Sequence, residues 1–229
     1  MSIERLFALT GKTALVIGAT PIGLATAELF REAGAACEVA APAPDEAAIA
    51  GAVDAFVAAH GRIDVLVYAT TRIGTYPVSD LTLEQWDRIQ QDNLRGAFVS
   101  VRQAVRHMRT GGGGAIIAVS TMGSLHPVLK GNAAYGASKA GLNALIRAVA
   151  LDEAEHGIRA NTVLPGAVPV GDPPEDMVRL GGPATQDGRL MLGMGGAEEI
   201  AAGILYLASP AARLMTGQSL VLDGGFLIS

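Results

Sequence analysis

The feature that most constrains the fold of this 229-residue chain is an alternation of short apolar or β-branched runs with longer segments of 3.6-residue periodicity. Such a pattern belongs to strand–helix–strand units, whose right-handed crossovers lay the strands parallel. It predicts strands at Thr13 to Ile17, Ala36 to Val39, Val65 to Tyr68, Ala115 to Ser120, Arg159 to Leu164 and Ser219 to Leu222. Helices are expected at Ile22 to Ala33, Asp45 to His60, Leu83 to Arg109, Ala134 to His156 and Glu198 to Ser209, with Gly34, Gly61 and Gly157 as stops and Gly111 to Gly114 as a loop. The fold class is α/β, a doubly wound parallel sheet with helices on both faces.

No linker, low-complexity tract or charge run divides residues 1–229, so a single domain is expected. Half the residues are hydrophobic and 29 are glycine, which suits strands buried on both faces under small-residue helices. A net charge of -5 offers no basic stripe for nucleic acid or an anionic membrane, so the expected partner is a small molecule. Cys37 is the only cysteine, which excludes an internal disulfide and a cysteine-based metal cluster. The first residues lack a basic leader and a long apolar run, and a cytoplasmic location is the expectation. Residues 168–196, rich in Gly and Pro, follow a strand end and are expected to form a lid over substrate, with Met177, Leu180, Met191, Leu192 and Met194 giving it an apolar wall. Methionine is more often simple core filler.

Gly18-Ala19-Thr20-Pro21-Ile22-Gly23 leads the first strand into a helix N-terminus, a place where backbone N–H groups can hold a pyrophosphate. Close packing of the turn alone accounts for the glycines just as well. Tyr135-Gly136-Ala137-Ser138-Lys139 sets a phenol and an ammonium at i and i+4, about 6 Å apart at Cβ on one helix face. A nearby cation favours the phenolate and brings a tyrosine toward proton exchange with a substrate oxygen. The plain alternative is a helix-start tyrosine and a solvated lysine. Val119-Ser120-Thr121 brings two hydroxyls to a strand's carboxyl end, either to polarise a carbonyl or to turn the chain. Asn93 is polar within an apolar helix and is suited to hold a carbonyl or a water. His126, near the hydroxyl loop, reads as an exposed loop histidine before it reads as a substrate contact.

Taken in order, Gly18 to Gly23, Gly61-Arg62-Ile63-Asp64-Val65-Leu66-Val67, Asp92-Asn93-Leu94 with Gly96, Tyr135 to Lys139, Arg159-Ala160-Asn161 with Pro165-Gly166, and Thr216-Gly217-Gln218 with Asp223-Gly224-Gly225 resemble the short-chain dehydrogenase/reductase family over nearly the whole chain. The resemblance implies a Rossmann-like fold and an oxidoreductase that interconverts an alcohol and a carbonyl with NAD or NADP. It implies Tyr135 as acid/base, Lys139 as the group that lowers its pKa and holds the nicotinamide ribose, Thr121 or Ser120 on the substrate oxygen, and Asn93 in a proton relay. Gly18, Thr20, Ile22, Gly23, Lys139, Pro165 and Gly166 would border the cofactor, no metal is involved, and a homodimer or homotetramer is expected.

The departures gather on the cofactor side. Ile17 replaces the family's threonine, and the middle glycine of the turn is missing before Ile22. Thirty positions between Gly34 and Asp64 leave no room for the family's two strands and two helices, so one of each should be absent. Ala40 and Ala41 stand where a charged residue would meet the adenosine ribose, and Pro42 where an aspartate would meet adenine. Tyr68-Ala69-Thr70-Thr71 replaces Asn-Asn-Ala-Gly, filling space that glycine leaves open, and Val170 replaces a threonine. Two further readings follow: a cofactor-independent lyase, isomerase or dehalogenase-like enzyme with Tyr135 as base, though dehalogenases on this fold carry arginine where Lys139 stands, and a non-catalytic subunit of a hetero-oligomer.

Overall fold

The computed structural model describes residues 2–169 and 181–229. The chain opens with a short helix α1 (Ile3–Phe7), then β1 (Thr13–Ile17), α2 (Pro21–Glu32), β2 (Ala36–Ala40), α3 (Glu46–His60) and β3 (Val65–Tyr68). After a loop come α4 (Leu83–Gln90), a π-helical turn (Gln91–Arg95), α5 (Gly96–Gly111), β4 (Gly114–Val119), α6 (Ala133–Asp152), β5 (Ile158–Pro165), α7 (Ala197–Ala208) and β6 (Ser219–Leu222). All six strands are parallel, in the order β2-β1-β3-β4-β5-β6.

Period-two alternation along the strands divides the core. From β1, Ala14 and Val16 join the layer beneath α2 and α7, while Leu15 and Ile17 join the layer beneath α3, α5 and α6. Likewise Val65 and Val67 of β3 face one side and Leu66 and Tyr68 the other. Strands buried on both faces carry no polar alternation, so their apolar runs mark them in the sequence.

β1 and β3 are neighbours, but the connection leaving β1 leads to β2 on one side and that leaving β3 leads to β4 on the other, and open α/β sheets bind ligands at the carboxyl edge of such a switch. Between Gly34 and Asp64 the chain builds only β2 and α3, as the short spacing requires, and β2 becomes the sheet edge. The expected helix from Leu83 to Arg109 is interrupted. Its axis continues, but the π turn inserts a residue around Asp92 and Asn93, a distortion that recurs at functional sites.

Candidate active site

Tyr135 lies in the first turn of α6 and Lys139 one turn later, both facing the carboxyl end of β4. Tyr135 is 8% exposed and Lys139 is wholly buried. Lys139 Nζ donates to the carbonyl of Val119 at 2.8 Å and more weakly to that of Thr70 at 3.4 Å, and sits 5.9 Å from the Tyr135 ring centroid. Burial without a carboxylate partner brings Lys139 down to about 7. Burial also pushes the Tyr135 phenol up, against a weaker downward pull from hydrogen bonding with the Thr71 and Thr121 hydroxyls. The plain alternative of a solvated lysine does not hold, and the pair leans neutral instead of toward phenolate and ammonium.

Asn93 faces inward on the π turn and is fully buried. Its Nδ2 donates to the Arg72 carbonyl and to Ser138 Oγ, both at 2.9 Å, and its Oδ1 accepts from the Arg72 amide at 2.7 Å. Ser138 Oγ in turn donates to the Tyr135 carbonyl at 2.7 Å. Asn93 thus ties the segment after β3 to the turn that carries Tyr135. Arg72 adds an ion pair with Asp92, whose carbonyl takes the Tyr68 hydroxyl.

The two hydroxyls after β4 point apart. Ser120 Oγ donates to the Lys139 carbonyl at 3.3 Å, whereas Thr121 Oγ1 accepts from the Gly123 amide at 3.2 Å and meets the Tyr135 phenol. Thr71, a departure from the family pattern, meets the same phenol. Its only signal in the sequence is that it stands in place of glycine. Met122, Val128 and Phe226 form an apolar cluster beyond this loop, joined by Leu129, Ala184, Leu190 and Leu227. His126 is exposed, with its ring edge-on to Phe226 at 6.1 Å. Met191, Leu192 and Met194 are exposed, and Met177, Leu180 and Val170 lie outside the described residues.

At the turn after β1, Gly18 has φ +116, and a Cβ there would come within 2.5 Å of the Thr70 amide nitrogen. A Cβ on Gly23 would meet the Gly18 carbonyl oxygen at 2.1 Å. Thr20 caps α2, accepting from the Gly23 amide at 3.1 Å and donating to the Ala69 carbonyl at 3.2 Å. Pro21 brings no N–H, so Ile22 supplies the one uncapped amide among the first three helical positions. Gly166 follows Pro165 and packs on Asp223, where a Cβ would meet the backbone at 2.7 Å. Ala40 ends β2 and Ala41 follows it, both without charge, and a cavity of about 220 Å³ opens next to Pro42, between Ile17, Ile49, Tyr68, Gln91 and the Arg72–Asp92 pair.

A family model described as enoyl-(acyl carrier protein) reductase matches residues 24–227. D-threitol dehydrogenase of Mycolicibacterium smegmatis is 31% identical to the chain, covering 100% of it and 97% of that enzyme. Cyclopentanol dehydrogenase of a Comamonas species is 35% identical over 88% of the chain and 81% of its own length. A crystal structure of a short-chain type dehydrogenase/reductase from Mycobacterium marinum superposes with a TM-score of 0.90 at 31% identity, covering 100% of both chains. The chain is a short-chain dehydrogenase/reductase. It is an oxidoreductase of the kind that acts on alcohols and carbonyls, and its dehydrogenase relatives imply a nicotinamide cofactor.

The donor set of this dehydrogenase fits the nicotinamide half of such a cofactor. Among the described residues the buried Lys139 amine is held by carbonyls alone, and the Tyr135, Thr71 and Thr121 hydroxyls lie beside it, a group able to meet a ribose diol and a carbonyl oxygen. The Ile22 amide at the α2 N-terminus suits a phosphate oxygen. On the adenosine half the cavity mixes apolar walls with Thr70, Gln91 and the Arg72–Asp92 ion pair, and β2 itself ends without a side chain to grip a ribose.

Proposed function

We propose that this dehydrogenase interconverts a small secondary alcohol and its ketone, with Tyr135 as the acid/base and Thr121 as the residue that holds the substrate oxygen. The observation that carries this reading is the convergence of the Tyr135 phenol, the Thr121 hydroxyl and the Lys139 ammonium at the carboxyl edge of β4. In the reducing direction Tyr135 donates its proton to the developing alkoxide while Thr121 hydrogen-bonds the same oxygen. Lys139, able to charge near neutral pH, stabilises the phenolate left behind. Asn93 positions the site by fixing the Arg72 segment and the Tyr135 turn, and Ser120 holds the Lys139 backbone. When bound, a nicotinamide cofactor would supply or accept the hydride; Lys139 would hold its ribose, Gly18, Thr20, Ile22 and Gly23 its pyrophosphate, and Pro165 and Gly166 would border it.

The end of β2 itself carries neither a carboxylate nor a cation, and Arg72 in the adjoining cavity is paired with Asp92, which supports acceptance of both NAD and NADP. The relatives named for threitol and cyclopentanol bracket the substrate, and the Met122, Val128 and Phe226 cluster favours the alicyclic end of that range. Exposed Ala137, Ala140, Ala144 and Ala148 on α6 support assembly of identical subunits, which light scattering would test.

The decisive experiment is titration with NADH and NADPH, followed by nicotinamide fluorescence and thermal shift, since a ligand that binds the native state raises its apparent stability. Micromolar binding of both, followed by turnover of cyclic ketones, is the expected outcome. No binding of either at millimolar concentration would overturn the reading.

A further inference from the structure

At the opposite, amino-terminal edge of the sheet lies a second cavity, of about 420 Å³, enclosed by the turns before β1, β3 and β4, the start of β5 and the end of α7. Four of its lining side chains are cations, Lys12, Arg62, Arg159 and Arg213, and one, Asp64, is an anion. The wall therefore carries three positive charges in excess (four less one) within a chain of net charge -5.

The one carboxylate is fully engaged. Asp64 is 4% exposed and accepts from Lys12 at 3.2 Å, from Arg62, and from the Thr13 amide and hydroxyl at 3.0 and 3.2 Å. The nearby carbonyls are engaged too, that of Asp64 by the Ala115 amide and that of Gly157 by the Gly114 amide. Arg159 is partly buried, yet its guanidinium reaches only the carbonyls of Met215 at 3.3 Å and Ala208 at 3.5 Å. Burial holds it below the usual arginine range, the mark of a charge without a counter-ion. No ion pair among the described residues includes Arg159 or Arg213.

We propose that this cavity is a binding site for a small phosphate anion, free or esterified, separate from the catalytic edge. Arginine forks match phosphate oxygens in paired hydrogen bonds, and two of them here lack a carboxylate to compete. The proposal is independent of the oxidoreductase reading, because none of these side chains takes part in that site.

The test is a thermal-shift and calorimetric titration with inorganic pyrophosphate and with glycerol 3-phosphate, at ionic strength held constant with NaCl. The doubly substituted Lys12→Ala, Arg213→Ala chain serves as the comparison, since both positions are exposed and their loss leaves the core intact. The expected result is saturable binding of at least one phosphate probe to the wild type, weakened about 10-fold or more in the variant, with NADH affinity unchanged by pyrophosphate. Whichever probe binds more tightly assigns the free or the esterified form. Three results would overturn the proposal: no saturable response beyond NaCl, equal binding by the variant, or competition with NADH, which would place the anion at the α2 N-terminus instead.

Discussion

Around β4, α5 and α6, the polar residues of the family pattern hold one another: Asn93 grips Arg72 and Ser138, Ser138 grips the Tyr135 turn, and Lys139 rests on Val119 and Thr70. Around β1, α2 and β2, the same pattern survives only as packing. Gly18 and Gly23 are required by contacts inside the turn itself, Thr20 and Pro21 remove two of the first three amides from use, and β2 ends in alanines. Glycines kept for close approach are therefore no measure of cofactor affinity, whereas a buried lysine without a carboxylate partner is held against a desolvation penalty and points to function.

The widest gap between the halves should appear on replacing Tyr135 by Phe. Removal of one hydroxyl should lower kcat by ~10²–10⁴-fold while the melting temperature and NADH binding stay near wild type. Retention of activity would place the chemistry elsewhere. Next in size is Asn93→Leu, which leaves the part-buried Arg72 amide without its acceptor and should destabilise the fold by about 2 kcal/mol. Urea denaturation reads this directly, and a loss below about 1 kcal/mol would mean that the clamp does not hold the site.

The third test is a pH profile. Lys139 stands at about 7 in the folded chain against 10.5 ordinarily, so between those values the unfolded chain binds the extra proton and stability rises with pH. From pH 7 to pH 9 the gain should be ~2 kcal/mol, and Lys139→Met should abolish it. Tyr135, shifted upward, acts in the opposite sense only above pH 10, where the unfolded chain gives up its phenol proton first. A flat wild-type profile over pH 7 to 9 would mean that the ammonium is solvated after all.

Much of this was legible in the sequence, for reasons that differ from element to element. β1 and β3 fall on the predicted bounds because each apolar run between turn residues is a strand with two buried faces, and β6 does so as an apolar edge strand with Val221 exposed. The short span from Gly34 to Asp64 announced the lost strand and helix by chain length alone. The π turn left no trace, since one extra residue per turn changes no composition, and Asn93 owes its inward direction to it. Ser120 and Thr121 are neighbours on extended chain and so face opposite ways, a parity that the residue types do not reveal. The neutral leaning of Tyr135 and Lys139 depends on burial under the Thr70 and Thr71 segment, which is distant in sequence.

The smallest expected effect bears on the weaker half. Ala41 is exposed one residue beyond β2, so an aspartate there replaces no packing and brings a carboxylate to where an adenosine ribose hydroxyl would lie. Ala41→Asp should tighten NADH binding by roughly 10-fold, the scale of one charge-assisted hydrogen bond, and weaken NADPH through repulsion of its phosphate. A shift in the NADH to NADPH affinity ratio with kcat unchanged would show that the two halves act independently, the catalytic one intact and the nucleotide one open to repair. An unchanged ratio would mean that the adenosine lies out of reach of residue 41, and that the shortened turn has redirected the cofactor instead of merely loosening it.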